Sequence, residues 1–280
     1  MKLIHLYRWT LPQAVAFLFA AAIMCVGRSA IASPQAAPLV IGESWSIDSS
    51  ALGEKRRINV YRPAGLPADM ALPVMYMPDG GVAEDFLHVA GLLQVGAANM
   101  TTRPFMLVGI ENTERRRDLT GPTDVAKDRS IAPRVGGSKA YRAFIRDELM
   151  PEVAKRYRVT TERAIVGESL AGLFVVETLV QEPELFDTYI ALDPSLWWNG
   201  GKLLTQAAAS KRAFAGKKSL YIASSADGQS FIDRAALAAT FGKAENLSYH
   251  YEDWPAETHA SIYHPAALKA FRLLLATRPE

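Results

Sequence analysis

The chain has 280 residues, enough for one domain with a full hydrophobic core, and its 31 basic and 29 acidic side chains nearly balance. Residues 1–32 have a basic start, an apolar run and the small-x-small ending Ala30-Ile31-Ala32, the pattern of a signal peptide that is removed after Ala32. Removal leaves 28 basic against 29 acidic side chains, so the mature chain has no basic footprint for nucleic acid.

The only cysteine, Cys25, lies within this signal peptide. The mature chain therefore has no disulfide and no thiol nucleophile, and zinc sites built on cysteine are excluded. We expect a periplasmic or secreted protein without a stable membrane anchor in its mature form, and without a metal or an organic cofactor. The sequence leaves the oligomeric state open.

Apolar segments alternate with helical patterns along the rest of the chain. A Pro/Ala-rich tail at 33–38 is predicted to be disordered, and residues 39–280 are predicted to form a single domain. Strands are predicted at 40–48, 57–62, 72–77, 105–110, 164–168, 188–192, 219–223 and 247–251. Helices are predicted at 86–95, 138–153, 173–180, 231–241 and 265–275. This alternation predicts a mostly parallel central sheet with helices on both faces and an antiparallel opening pair.

Residues 111–137 form the longest predicted loop, and it is rich in charge, glycine and proline. Loops of this length in compact domains usually have a function or move. The sequence does not decide whether this loop closes over a ligand.

A short string around Ser169 is the strongest functional motif. The predicted strand 164–168 ends at Gly167-Glu168-Ser169-Leu170-Ala171, and a helical pattern follows. This is the pattern of a nucleophile elbow, a sharp turn that presents serine at the carboxyl edge of the sheet. Small residues are needed because strand and helix nearly collide there. The usual pattern is Gly-x-Ser-x-Gly, and Ala171 departs from it.

A serine needs a general base, and four histidines follow the signal peptide. His259 lies in a loop after the last predicted strand, which fits the chain order serine, acid, histidine of α/β-hydrolases. His88 lies on a predicted helix, His250 lies within a predicted strand, and His264 lies at the start of the last helix. We therefore predict His259 as the base.

The acid that orients the histidine has several candidates. Asp227 follows the strand that would be seventh in such a sheet, where this acid normally lies, and it is our first choice. Asp193 follows the preceding strand and is the main competitor. Glu257 is close to His259 in sequence, and Asp233 on a predicted helix is a more remote candidate.

An oxyanion hole needs two backbone donors. The N–H of Leu170, directly after the serine, is one donor of a nucleophile elbow. The second is predicted from the turn after the third strand, at Gly80 or Gly81, where glycine lets the backbone approach a substrate closely.

Taken together, these motifs resemble the esterase D-type branch of the α/β-hydrolase superfamily, and within it the periplasmic siderophore esterases. The matching segments are 73–80, 108–113, 115–120, 148–151, 167–172, 194–198 and 257–261, in the order of the family. The resemblance implies an α/β-hydrolase fold, with Ser169 as nucleophile and His259 as base. The family usually has histidine or a similar residue where Glu168 stands.

By the same resemblance, the substrate is a small-molecule ester, with the ester backbone of a catecholate siderophore as one candidate. Arginine binds anions and stacks on aromatic rings, so substrate contacts are predicted for Arg115, Arg116, Arg117, Trp197 and Trp198. Hydrolysis through an acyl-enzyme is our first interpretation. The alternatives are an acyltransferase, a feruloyl or acetyl esterase with the same site, and a binding protein that kept the fold without catalysis.

Overall fold

The computed structural model describes residues 36–209, 213–228 and 232–277. The predicted signal peptide at 1–32 lies outside the described residues, as do residues 33–35 of the predicted tail. One compact unit spans Ile41–Glu280. Met1–Val40 form a separate unit, of which only residues 36–40 are described.

The described chain contains one sheet of eight strands. The strands are β1 (Glu43–Ser49), β2 (Glu54–Tyr61), β3 (Leu72–Met77), β4 (Met106–Ile110), β5 (Val159–Glu168), β6 (Thr188–Leu192), β7 (Lys218–Ser225) and β8 (Leu247–Trp254). Their order across the sheet is β1-β2-β4-β3-β5-β6-β7-β8. Strand β2 is antiparallel to β1 and β4, and the other neighbours are parallel. The predicted mostly parallel sheet is confirmed.

Helices cover both faces of this sheet. They are α1 (Phe86–Ala98), α2 (Arg115–Asp118), α3 (Ala126–Arg129), α4 (Ser138–Phe144), α5 (Met150–Arg156), α6 (Leu170–Gln181), α7 (Lys202–Ala209), α8 (Arg234–Phe241) and α9 (Tyr263–Leu274). A π-helical turn spans Ile145–Leu149, and a 3₁₀ turn spans Trp198–Gly201. Helices α1 and α9 pack on one face, and α4 to α8 contribute to the core on the other.

The central strands read as continuous apolar runs because both of their faces are buried. In β6, Tyr189 and Ala191 join one core layer, while Ile190 and Leu192 join the other. All five residues of β6 are buried. Because β3, β5, β6 and β7 are parallel neighbours, their carboxyl ends lie at the same edge of the sheet. Ligand sites of such sheets lie at this edge.

Three local features differ from the predictions. The predicted loop 111–137 contains the short helices α2 and α3, and helix α7 has no predicted counterpart. The predicted helix 138–153 is divided by the π-helical turn that directly precedes α5. Pro151 lies at the start of α5, and its missing N–H and its ring are incompatible with a regular turn before it.

None of the helices in the described ranges is both long and apolar enough to span a membrane.

Candidate active site

Ser169 lies at a strained turn between β5 and α6. Its backbone has φ 60° and ψ −120°, outside the regions that L-residues normally adopt. A Cβ on Gly167 would lie 2.7 Å from the Cβ of Ala171, so strand and helix touch at this point. Because Gly167 supplies the space, Ala171 fits in a fully buried position. The departure from the usual pattern is thus accommodated by packing.

A chain of polar contacts connects Ser169 to a buried carboxylate. The Oγ of Ser169 lies 3.1 Å from Nε2 of His259. On the other side of the imidazole ring, Nδ1 lies 2.6 Å from Oδ2 of Asp193. This is the geometry in which a carboxylate holds a histidine with Nε2 free to accept a proton from serine.

Asp193 is held firmly at the end of β6. The N–H of Ser225 donates to its Oδ1 at 2.9 Å, and the hydroxyl of Ser225 donates to its Oδ2 at 2.7 Å. A Cβ on Gly228 would lie 1.8 Å from Oδ1, so only glycine fits beside this carboxylate. Although burial opposes it, the hydrogen bonds from His259 and Ser225 lower the pKa of Asp193. The carboxylate is therefore ionised at neutral pH.

The structure places Asp227, our first choice for the orienting acid, at the backbone of His259 and not at its ring. Its Oδ2 accepts a hydrogen bond from the backbone N–H of His259 at 3.0 Å, and the imidazole ring contacts Asp193 instead. Asp227 follows β7, one strand further from the nucleophile than Asp193, and it fixes the histidine loop. Glu257 accepts from Ser261 Oγ at 2.6 Å, and Asp233 accepts from the Ala236 N–H at 2.9 Å at the start of α8.

Two carboxyl groups face the imidazole of His259. The hydrogen bond to Asp193, together with the nearby charge of Glu168, raises the pKa of His259 although burial opposes it. Glu168 Oε1 lies 3.8 Å from Nδ1 of His259. Burial, followed by the charges of Asp85 and Asp193, raises the pKa of Glu168 to about 7 against the opposing effects of His259 and Arg115.

The predicted oxyanion donors differ in whether their N–H groups already have an acceptor. Leu170 is the first residue of α6, and the first N–H groups of a helix have no acceptor within the helix. The N–H of Gly80 instead donates to the Ile110 carbonyl at 3.0 Å, which removes it as a donor to substrate. The N–H of Gly81 donates to Oε2 of Glu84 at 2.7 Å, so its predicted role requires this carboxylate to move aside.

The glycine signal at Gly80 has a packing explanation. A Cβ at this position would lie 2.3 Å from the Cα of Gly109 on β4. The two glycines thus allow a close approach of the two backbones that no larger residue permits. The oxyanion role predicted for Gly80 conflicts with the structure because its N–H already donates to the Ile110 carbonyl.

Residues at three neighbouring strand ends adopt positive φ. Asp79 after β3 has φ 56°, Ser169 after β5 has φ 60°, and Asp193 after β6 has φ 43°. Such strain in residues other than glycine is concentrated at functional sites and persists only where the surrounding structure enforces it.

The three predicted substrate arginines have separate partners. Arg115 forms a bidentate pair with Asp79, with N–O distances of 2.6 and 2.8 Å. Arg116 donates to the Ile131 carbonyl at 2.6 Å. Arg117 donates to Glu54 and Asp118 and is mostly buried, so its place is in a structural ion network. The expectation that Arg117 contacts substrate conflicts with this burial and pairing.

The centre of this network gives a stability prediction. Arg56 is fully buried and pairs with Asp118 and Glu54. The Asp118→Asn substitution is expected to lower the free energy of unfolding by about 3 kcal/mol, since it leaves a buried guanidinium short of countercharge. Urea unfolding of the purified variants measures this change.

The matched control is Asp48→Asn, which breaks the exposed pair between Asp48 and Lys55. Its expected effect is below about 1 kcal/mol, because exposed ion pairs contribute little. Equal unfolding midpoints for the two variants would contradict the assignment of Asp118 to a structural network.

The two tryptophans also differ. Trp197 is 39% exposed and borders an open pocket of about 300 Å³ at Ser169. This pocket is lined by Ser169, Asp193, Pro194, Ser195, Trp197, Asp227, Gly228 and His259. Trp198 is buried, and its indole N–H donates to the Gly121 carbonyl at 2.8 Å. The predicted substrate contact of Trp198 is therefore wrong, because this side chain belongs to the core.

A metal centre has no obvious donor set here. Among the described residues, no group of three or more His, Cys, Asp or Glu side chains is arranged to hold a metal ion.

The sheet order, the elbow and the strand-end site together define an α/β-hydrolase fold. The chain belongs to the Esterase family, whose description reads "Putative esterase" and whose model matches residues 49–264. This membership confirms the resemblance drawn from the motifs.

Named relatives extend the comparison. The chain is 33% identical over 166 residues to the ferri-bacillibactin esterase BesA of Bacillus subtilis, covering 54% of this chain and 57% of that protein. It is 37% identical over 102 residues to a siderophore enterobactin esterase of Emericella nidulans, covering 33% of this chain and 34% of that protein. The chain spans about half the length or less of the curated relatives that it matches.

Solved structures match over more of the chain. An IroE-like serine hydrolase from Shewanella oneidensis is 26% identical with a TM-score of 0.74, over 84% of this chain and 80% of that one. The siderophore hydrolase EstB from Aspergillus nidulans has a TM-score of 0.73 at 23% identity, over 89% of this chain and 99% of that one. The second likeness supports the fold alone.

Proposed function

We propose that this protein is a serine esterase that hydrolyses a siderophore ester through an acyl-enzyme. The observation that carries the proposal is the contact chain from Ser169 through His259 to Asp193, with distances of 3.1 and 2.6 Å. A serine hydroxyl, a ring with a free Nε2 and an ionised carboxylate are the groups that this chemistry needs.

The proposed reaction has two halves. Ser169 Oγ attacks the ester carbonyl while Nε2 of His259 takes its proton, and Asp193 stabilises the imidazolium that forms. The N–H of Leu170 donates to the oxyanion, and the imidazolium then protonates the departing alcohol. A water molecule, deprotonated by His259, then attacks the carbonyl of the acyl-enzyme. Ser169 leaves with a proton from His259, and the acid is released. Export of the mature chain after removal of residues 1–32 is part of the proposal.

The substrate class is taken from the relatives and is tested by a panel. The relatives named above are a ferri-bacillibactin esterase and a siderophore enterobactin esterase. We expect the purified protein to hydrolyse a siderophore ester faster than feruloyl or simple acyl esters at equal concentration. Iron-loaded and iron-free siderophores, followed by liquid chromatography with mass detection, measure this preference.

The same assays separate the alternatives. Transfer of the acyl group to an added alcohol, in place of release of the free acid, would identify an acyltransferase. A fluorophosphonate that fails to label the folded protein would support a binding function without catalysis. Equal rates on every ester would contradict the siderophore assignment while leaving the esterase in place.

A further inference from the structure

Glu168 occupies an unusual position beside the proposed base. It is the last residue of β5 and directly precedes Ser169, and its side chain is 17% exposed. Its Oε1 lies 3.8 Å from the same ring nitrogen, Nδ1 of His259, that contacts Asp193 at 2.6 Å. The imidazole thus faces one carboxylate at hydrogen-bond distance and a second at ion-pair distance.

The two carboxyl groups have different relations to the ring. The single proton on Nδ1 is committed to Asp193, because 2.6 Å is a short hydrogen bond. A separation of 3.8 Å is too long for a hydrogen bond, so Glu168 influences the ring through its charge. That charge changes with pH near neutrality, whereas Asp193 stays ionised.

The surroundings of Glu168 include both signs of charge. The groups that interact electrostatically with it come from several elements: Asp85 before α1, Arg115 on α2, Asp193 after β6, His259 after β8 and Tyr263 on α9. Asp85 and Asp193 disfavour a second negative charge, whereas Arg115 and His259 favour it. The Arg115 charge is largely committed to Asp79, so protonation of His259 remains the main event that stabilises an ionised Glu168.

We propose that Glu168 is a positioning residue that acts through His259, so that the pH range of hydrolysis is set by the two groups together. This inference rests on the proposed roles of Ser169 and His259. An ionised Glu168 stabilises the imidazolium, and an imidazolium favours ionised Glu168, because the interaction between two titrating groups is reciprocal. Neutral His259, the form that accepts the serine proton, consequently appears at higher pH than in a protein without this carboxyl group.

The Glu168→Gln substitution keeps the shape and removes the charge. The acidic limb of the kcat/KM profile is expected to move to lower pH and to change from two coupled ionisations to one. The ratio of kcat/KM at about pH 6 to that at about pH 8 is expected to rise about three- to tenfold, since an opposite charge at this distance stabilises the protonated base. Hydrolysis of a p-nitrophenyl ester across this range, corrected for product ionisation, measures the ratio.

Two further variants frame this result. Glu245→Gln removes an exposed carboxylate that lies outside the site, and its profile is expected to superpose on that of the unmodified protein. Glu168→Asp restores an acid on a shorter side chain, and its profile is expected to lie between the other two. A Glu168→Gln profile that superposes on that of the unmodified protein would overturn the proposal.

A titration without turnover separates this inference from the proposed function. In a Ser169→Ala background, the imidazole of His259 is followed by NMR with Glu168 present and with Glu168→Gln. The pKa of His259 is expected to be lower in the second protein. An unchanged titration would refute the role of Glu168 whether or not the protein hydrolyses esters. If the titration shifts as expected but the unmodified protein hydrolyses no ester, the result counts against the proposed esterase function and leaves the role of Glu168 in place.

Discussion

Replacing Ser169 with alanine is expected to reduce kcat/KM for a p-nitrophenyl ester by at least about 10⁴-fold. The proposed nucleophile is the hydroxyl of Ser169, which lies 3.1 Å from Nε2 of His259. Alanine removes this hydroxyl and keeps the backbone. The residual rate reflects only binding and the Leu170 N–H. Steady-state hydrolysis and fluorophosphonate labelling of the folded variant measure the loss.

The matched control is Ser195→Ala, which removes a neighbouring hydroxyl. Ser195 Oγ lies 3.4 Å from Ser169 Oγ, but the contact to the imidazole belongs to Ser169. We expect this variant to remain labelled and active. If Ser169→Ala hydrolysed esters at the rate of the unmodified protein, the acyl-enzyme mechanism would be wrong.

The second large effect is expected from Asp193→Asn, with kcat lowered by about 10⁴-fold. Asparagine tolerates the positive φ of this position, and its carbonyl oxygen can keep the bond from the Ser225 N–H. Its amide N–H₂ then faces Nδ1 of His259 and favours the tautomer with a proton on Nε2. That nitrogen can no longer accept the proton of Ser169.

The comparison variant is Asp227→Asn, which changes the same chemical group on the other side of His259. Asparagine can still accept the backbone N–H of His259, so the loop keeps its position and kcat is expected to fall by less than about tenfold. A larger loss from Asp227→Asn than from Asp193→Asn would restore Asp227 as the acid. Rates for both variants at saturating substrate decide between them.

The sequence predicts the parts of the proposed site that depend on local pattern and chain order. The elbow at Ser169 is a local signal, because the strain of the turn restricts residue types within a few positions. His259 follows from order alone, since it lies in a loop after the last strand and after the serine. Both residues lie where these patterns placed them, within contact distance of each other.

The structure places the carboxylate of Asp193, and not that of Asp227, on the imidazole of His259, and the reason is tertiary. Asp193 and Asp227 both follow apolar strands, and the sequence contains nothing that says which side chain reaches the ring. The choice is made by the positive φ of Asp193 and by the support of Ser225 and Gly228, which belong to the next strand and the turn after it. Contacts between strands do not appear as a local pattern.

At Gly80, Arg117 and Trp198, residue type predicts a functional role, whereas the structure gives each residue a structural one. Glycine serves a close backbone crossing as well as an oxyanion hole, and arginine serves a buried ion network as well as an anion site. Tertiary contacts decide between these uses, and they involve Gly109, Glu54 and Gly121, which lie far from their partners in the sequence.

The positive φ values at Ser169 and Asp193 have a consequence for protein engineering. Glycine would relieve the strain at either position, since it adopts positive φ at little cost, and it would abolish the proposed chemistry. At Ser169, selection for heat resistance alone would therefore favour a substitution that removes the proposed nucleophile, whereas glycine at position 193 would also lose the hydrogen bonds from Ser225. A directed-evolution library of this scaffold should leave these two codons fixed and seek added stability in the helices that cover the sheet.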